Sequence, residues 1–432
     1  MQDNKITLTG VVTWLICTLF FMYEFLLRTI LGTFQTPLMH DLGLTSIQFS
    51  LLSTTIYQIV YGAMQIPVGV IIDRIGIKKT IGTAIVLCTI ANMGFAYSHS
   101  FTSAMLFRML AGLGSSCGFI CLLMAIYDWM PRKNIALFVG ISQFIGTLGP
   151  MLAAGPLSSL SLEASLGWRD VFFNLALIGG LITVLAFLCI KDNRQLQGKL
   201  IFLSPSSSLT THLLALMKQK QVWFIAIYSA CIFFSIEYLT ENEGITFLIK
   251  KGFSPQFSSY MITIAWLGYA IACPLIGFFS DKIQRRKPFM VLSALSTFVA
   301  LIGIIYAPIN QELLIISFVL LGIGSAGSII GFTIMAEQCT EETLAAGLGL
   351  NNTMVVLSTA LNAPLIGYFL SNQLMGDTHL THYQKAFTVM FLLVISAVFI
   401  VIFCIKETFC KSMRKNTILK PSETRTFLEE PA

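Results

Sequence analysis

The sequence predicts an all-α membrane protein with twelve transmembrane helices in two pseudo-symmetric six-helix bundles. Three observations carry that expectation. Of 432 residues, 55% are hydrophobic and only 11% are charged, at a mean hydropathy of +0.79; soluble domains carry roughly 25% charged residues. Apolar stretches of about 18 to 25 residues, the length that crosses a bilayer, recur twelve times. The first half of the sequence is also repeated in the second.

Taken in order, the stretches are α1 11–33, α2 47–71, α3 80–97, α4 102–127, α5 135–157 and α6 170–190. After a polar connection come α7 222–246, α8 257–279, α9 288–307, α10 313–335, α11 346–370 and α12 385–405. No small-residue cleavage site follows α1 and many spans do, so α1 reads as a helix rather than a signal peptide. The longest polar connection, 191–221, contains "KDNRQLQGK" and "SPSSSLTT". It sets an amino-terminal bundle at 1–190, a linker at 191–221, a carboxy-terminal bundle at 222–405 and a tail at 406–432. With both termini inside, Arg169, Lys250, Lys251 and Lys385 fall outside, Arg28 and Arg108 fall within helices, and the remaining 21 basic residues are cytoplasmic. That asymmetry follows the positive-inside rule. The tail, with Lys406, Lys411, Arg414 and Lys415, suits a segment beside anionic lipid.

The repeat has an offset near 208. "QFS" at 48–50 recurs at 256–258, Tyr61 maps to Tyr269, and "GVIIDRIGIKK" (69–79) maps to "GFFSDKIQRRK" (277–287). "GLGSS" (112–116) maps to "GIGSA" (322–326), and Trp14 to Trp223. Parallel six-helix repeats place a substrate site between the halves near the midplane.

Several classes are disfavoured. The ten cysteines lie mostly in apolar segments without zinc-finger spacing, which argues against disulfides and metal sites. The net charge of +6 concerns membrane sidedness rather than nucleic acid. A Walker A sequence is absent, so ATP is not the expected energy source. No polar domain holds a nucleophile and base, so an enzyme is not expected, and neither is a cofactor. His379-x-x-His382 reads as a solvated pair in an outer loop.

Glu24 and Arg28 sit near the middle of α1, one turn apart on one face. A charge at that depth costs roughly 2.5–3.5 kcal/mol. They either neutralise each other locally or serve a site. Arg28 maps at offset 209 to Glu237, both 14 residues beyond their tryptophan and so at similar depth. Glu241 follows Glu237 by one turn, and Glu243 falls at the outer rim, solvated. Arg28 offers bidentate geometry to a substrate carboxylate. Glu24 or Glu237 would then meet a substrate ammonium or carry a proton. Arg108, early in α4, either snorkels to the surface or joins the site. Tyr57, Tyr61, Gln143, Tyr269 and Asn352 are further cavity candidates, or interhelical hydrogen bonds.

Gly69-x-x-x-Asp73-Arg74-x-Gly76-x-Lys78-Lys79 between α2 and α3 resembles the loop motif of the major facilitator superfamily at every position. Its second copy, Gly277-x-x-x-Asp281-Lys282 with Arg286 and Lys287, has Gln284 in the glycine position. Arg108 with Gly112 resembles the family's α4 motif, and "GWRDVFF" (167–173) its usual start of α6. "MQIPVGVIIDRIG" (64–76) and "GLGSSCGFICLLMAIYDWMP" (112–131) resemble a proteobacterial subgroup near the intraphagosomal amino-acid transporters. "GTLGPMLAAGP" (146–156) partly resembles the antiporter motif of exporters, with Ala153-Ala154 where that motif has glycines.

The resemblance implies that α1 and α7 line a central cavity and that Arg108 takes part in proton coupling. It implies an inner latch in which Asp73 docks on the amino end of α11, where the helix dipole favours an anion, and Asp281 does the same at α5. Arg74 would pair with Asp128, and Lys282 with Glu337 at the equivalent position, unless these are solvated loop charges. Lys79 completes the motif. The expected protein is a monomeric, multi-pass transporter of the bacterial inner membrane. It would import a small polar metabolite, an amino acid above all, with protons. The alternatives are an exporter of a siderophore, drug or other small organic, and a transporter-fold ligand sensor.

Overall fold

A computed structural model describes residues 6–131, 135–192, 217–339, 344–371 and 379–410. These residues form twelve helical rods and, among the described residues, no strand. The rods are α1 Leu8–Leu42, α2 (Ser46–Ser50, Leu51–Thr55 and Ile56–Ile75), α3 Ile77–Ala96, α4 (Phe101–Ser115 and Gly118–Trp129), α5 (Ile135–Ala153 and Gly155–Glu163) and α6 Trp168–Cys189. Then come α7 (Lys220–Glu241 and Gly244–Lys250), α8 Pro255–Ile283, α9 Lys287–Ile305, α10 (Gln311–Ser325 and Gly327–Gln338), α11 Leu344–Ser371 and α12 (His379–Ala386, Thr388–Phe399 and Ile400–Cys404). Ten are long and apolar enough to span a membrane, or eleven with the bent α5. The twelfth rod is α2, which runs through a π-helical turn at Leu51–Thr55.

The repeat is visible in local chemistry. A capping box starts α2, where Gln48 N–H donates to Thr45 Oγ1 and Thr45 N–H to Gln48 Oε1. Ser254 starts α8 in the same way, accepting from Phe257 N–H ahead of a proline at the first position. At the other ends the chain turns through Gly76, at φ +84°, and through Gln284, at φ +56°. The second copy tolerates a side chain there because Gln284 Nε2 bonds locally to the Asp281 carbonyl, at 2.7 Å. Gly112 and Gly322 occupy matching close approaches. A Cβ on Gly112 would collide with the Tyr57 backbone, and one on Gly322 with Ala265 and Tyr269. Immediately after each, α4 and α10 break at Ser116–Cys117 and at Ala326.

The halves meet where α2 packs on α11 and α5 on α8. Thr55 Oγ1 donates to the Ala360 carbonyl at 2.8 Å, and Gly155 N–H donates to Thr263 Oγ1 at 2.9 Å. Thr246 Oγ1 donates to Gln35 Oε1 at 2.6 Å, and Gly32 of α1 abuts the Thr240 carbonyl of α7. All these contacts lie towards the face away from the chain termini. There the two halves are zipped together.

Three expectations are corrected at the edges of the fold. Glu243 is not solvated: it is 1% exposed and accepts from Tyr383 O–H at 2.8 Å, because α7 breaks at Asn242 and turns inward. The His379–His382 stretch is helical rather than a loop, and His382 is buried against the Leu370 carbonyl. In the second loop motif Glu337 pairs with Arg286 at 2.8 Å, not with Lys282, which is exposed. Asp281 also pairs with Arg286, at 2.6 Å; the residues leading into the amino end of α5, on which it was expected to dock, lie outside the described residues. Arg286 wins because it is buried between the two carboxylates, with Ser280 Oγ accepting from its Nη1 at 2.7 Å.

Candidate functional site

The site is assembled from α1, α2, α7 and α11, at the level where α1 and α7 stop being regular helices. The first stretch of α1 ends at Thr29, one residue beyond Arg28, and passes into a 3-10 turn. The α7 helix ends at Glu241, and Gly244 restarts it. Broken spans at membrane depth are tolerated where they line a cavity or are buried in protein.

Arg28 does not close on Glu24. It crosses between the halves, pairing with Glu237 and donating through Nε to Glu241 Oε1 at 3.0 Å. Arg28 is 9% exposed, and both glutamates are fully buried. The local-pair alternative is therefore set aside. An i, i+4 neighbour satisfies one carboxylate at most, whereas α7 presents two a turn apart on one face. Gln58 of α2 donates to both oxygens of Glu241, at 3.1 and 2.9 Å, and Thr359 of α11 donates to Glu237 Oε2. Sequence reasoning missed Gln58 and Thr359, although "YQIVYG" did carry a signal in a polar residue beside Tyr57 in a span.

Glu24 remains on α1, 2% exposed. Its described hydrogen-bond partner is the Tyr57 hydroxyl, at 3.3 Å from the Glu24 carbonyl and 3.4 Å from Oε2. Gly118, just past the α4 break, leaves room for it. Thus, among the described residues, one carboxylate of this site lacks the direct cation contact that the other two share.

Arg108 does not snorkel. It is 2% exposed and donates to the Leu27 and Ser53 carbonyls at 2.8 Å each, and to the Leu52 carbonyl at 3.3 Å. Its guanidinium lies 4.6 Å from the Tyr57 ring centroid. The π-helical turn of α2 frees carbonyls that an ordinary helix would occupy, and a fork of fixed donors fits them. The same turn presents Ser53 and Thr54 to Asn242, at 2.6 and 2.8 Å. Arg108 thus holds the stretch of α2 that carries these contacts and Gln58.

Tyr57 and Tyr61 stack at 6.4 Å. Tyr269 sits in an aromatic cluster with Trp266 and Phe233. Asn352 of α11 donates to Gln65 at 3.4 Å across the halves, and Gln143 is half-buried on α5. Among the gating candidates, Gly76 packs on Asp192, whose Oδ1 accepts Lys78 N–H at 3.0 Å. Lys79 is exposed, and Gly277 has open space beside it. Asp128 is half-buried and engaged. The side chains of Gly69, Asp73 and Arg74 lie outside the described residues.

The "GTLGPMLAAGP" stretch bends α5 by 40° between Ala153 and Gly155. Gly155 packs there against Tyr260 and Thr263 of α8. Gly146 and Gly149 pack on Phe21 and Met22 of α1, so close helix packing, within the half and between the halves, accounts for its small residues.

The Major Facilitator Superfamily profile matches residues 14–249 and 244–415. The chain is 24% identical over 271 residues to a hexuronate transporter of Bacillus subtilis (strain 168), covering 61% of this chain and 62% of that protein. It is 24% identical over 294 residues to a glycerol-3-phosphate transporter of the same organism, covering 62% of this chain and 65% of that protein. The chain thus spans a little under two thirds of the length of these two relatives. Among solved structures, a D-xylose–proton symporter superposes with a TM-score of 0.75 at 15% identity, covering 93% of this chain and 99% of that one.

Proposed function

The chain belongs to the Major Facilitator Superfamily, and from that premise we propose that it is a proton-coupled secondary transporter of a small polar metabolite bearing an anionic group, an amino acid above all. It would work by alternating access in a bacterial inner membrane, with both termini cytoplasmic. In that orientation the zipped face is external.

The observation that carries this reading is the buried pairing of Arg28 with Glu237 and Glu241 across the two halves. A buried ion pair returns about as much as its desolvation costs, so it is poor glue for a permanent interface. It suits an interface that must open. A substrate carboxylate can replace a glutamate on Arg28, and a proton taken up by the displaced glutamate removes its charge. Both B. subtilis relatives are named for substrates that carry an anionic group, which supports Arg28 as the anion partner. Glu24, one turn away and without a direct cation contact, offers the opposite sign to a substrate ammonium. The coupling proton falls to Glu24 or Glu237. A likeness to the intraphagosomal amino-acid transporters agrees with this choice of substrate.

The test is flux in proteoliposomes with an imposed pH gradient, using amino acids, hexuronates and glycerol phosphate as solutes. Amino-acid uptake driven by the gradient, abolished in Arg28→Gln and uncoupled from pH in Glu24→Gln or Glu237→Gln, is the expected result. Uptake of the purely anionic solutes alone would remove the ammonium role of Glu24. Solute efflux against its gradient would make the protein an exporter, and binding without flux a sensor.

A further inference from the structure

A groove unrelated to the Arg28 network opens on the termini side of the second half, beside the start of α9. Its volume is about 530 Å³. Two cations, Arg285 and Lys287, stand at its mouth, and Val291, Leu292 and Leu295 line it further along α9. The carboxy-terminal segment supplies the other wall through Glu407 and Phe409.

The order of these groups along α9 is that of an amphiphile. Arg285 precedes the apolar span, which begins at Lys287. Val291 and Leu295 follow Lys287 by one and two turns, so Leu295 lies about 12 Å deeper into the hydrocarbon. Leu292 and Leu295 are 63% and 46% exposed. Glu407 is the one acid in the wall, and its charge is already engaged. Its two oxygens accept the N–H groups of Arg286 and Lys287 at 2.8 and 3.0 Å, at the positive end of α9. This also fixes the wall, together with Thr408 O–H on Glu337. Lys287 Nζ donates to the Ile402 carbonyl at 2.8 Å, which leaves the ammonium two further donors. The Arg285 guanidinium lies 5.7 Å from the Phe409 ring centroid.

We infer that this groove binds an anionic phospholipid of the leaflet on the termini side. The phosphate sits at Arg285 and Lys287, and an acyl chain lies along Val291, Leu292 and Leu295. A free phosphate would use the cations but leave the apolar row bare, and the row is what selects a lipid.

The experiment is thermal unfolding of the delipidated full-length protein in detergent, titrated with phosphatidylglycerol or phosphatidylcholine. Phosphatidylglycerol should raise the melting temperature at concentrations where phosphatidylcholine does not. Arg285→Gln and Lys287→Gln should each weaken that response about fivefold, the change that about 1 kcal/mol per surface cation gives. Equal stabilisation by both lipids, or an unchanged response in both variants, overturns the assignment. So does equal stabilisation by inorganic phosphate. A chain ending at Cys410 should keep the preference. Its loss there would assign the attraction to Lys411, Arg414 and Lys415 of the tail instead.

Discussion

Arg28 and Glu24 occupy one face of one helix, yet the fold gives them different company. Arg28 holds two buried glutamates of the opposite half, while Glu24 touches a tyrosine hydroxyl. Their substitutions should therefore differ. Arg28→Met leaves Glu237 and Glu241 buried without their cation and should cost about 3–5 kcal/mol, the range for breaking a buried pair. Glu24→Gln removes only long contacts and should cost within about 1 kcal/mol. Chemical unfolding of the two purified variants checks this, and equal losses would place Glu24 in the ion-pair network. A second prediction concerns Lys251, outside the spans. Its Nζ donates to the Ile304 carbonyl, and burial pulls its pKa from the ordinary 10.5 down to about 8. Between those values the unfolded chain binds a proton that the folded chain has released, so stability from this group rises with pH from about 8 to 10.5. The melting temperature of the wild type should show that rise relative to Lys251→Met.

At the scale of the helix, broken elements do the positioning. The π-helical turn of α2 frees the carbonyls that Arg108 takes and turns Ser53 and Thr54 towards the break in α7. Hydropathy marked α2 and α7 as spans but is blind to such breaks, because a π turn needs no signature residue. The α1–α7 contact is as close as it is because Gly32 lies on the Thr240 carbonyl. Gly32→Ala should wedge these helices apart and favour opening of the face away from the termini. With spin labels at His40 and Lys250, both exposed and one on each half, in a cysteine-free background, the distance distribution should lengthen. An unchanged distribution would show that closure does not depend on this contact.

For the whole molecule, twelve rods return the chain to its starting side, and the zipped face lies opposite the termini. Basic residues concentrate on the termini side in the sequence, so reporter fusions at both ends should give cytoplasmic signals. A periplasmic signal from either would reverse the orientation and put the zipped face on the cytoplasmic side. Much of this scale was legible beforehand. The span count, the halves and the repeat come from length, hydropathy and residue order, and equal distance from Trp14 and Trp223 put Arg28 and Glu237 at similar depth without deciding whether they meet. The loop motif was less legible. The repeat favoured Lys282 for Glu337, but Arg286, also in the motif, is the cation that the α8–α9 turn buries beside it.

The sequence by itself determined a membrane-spanning, duplicated all-helical chain with charges at midplane depth, because burial in lipid constrains composition along every span. Which charge meets which was decided by the tertiary structure alone. Partnership among Arg28, Glu24, Glu237 and Glu241 depends on helix rotation and on breaks at Thr29 and Asn242. These are set by packing between halves more than 200 residues apart in sequence, and no local pattern encodes that.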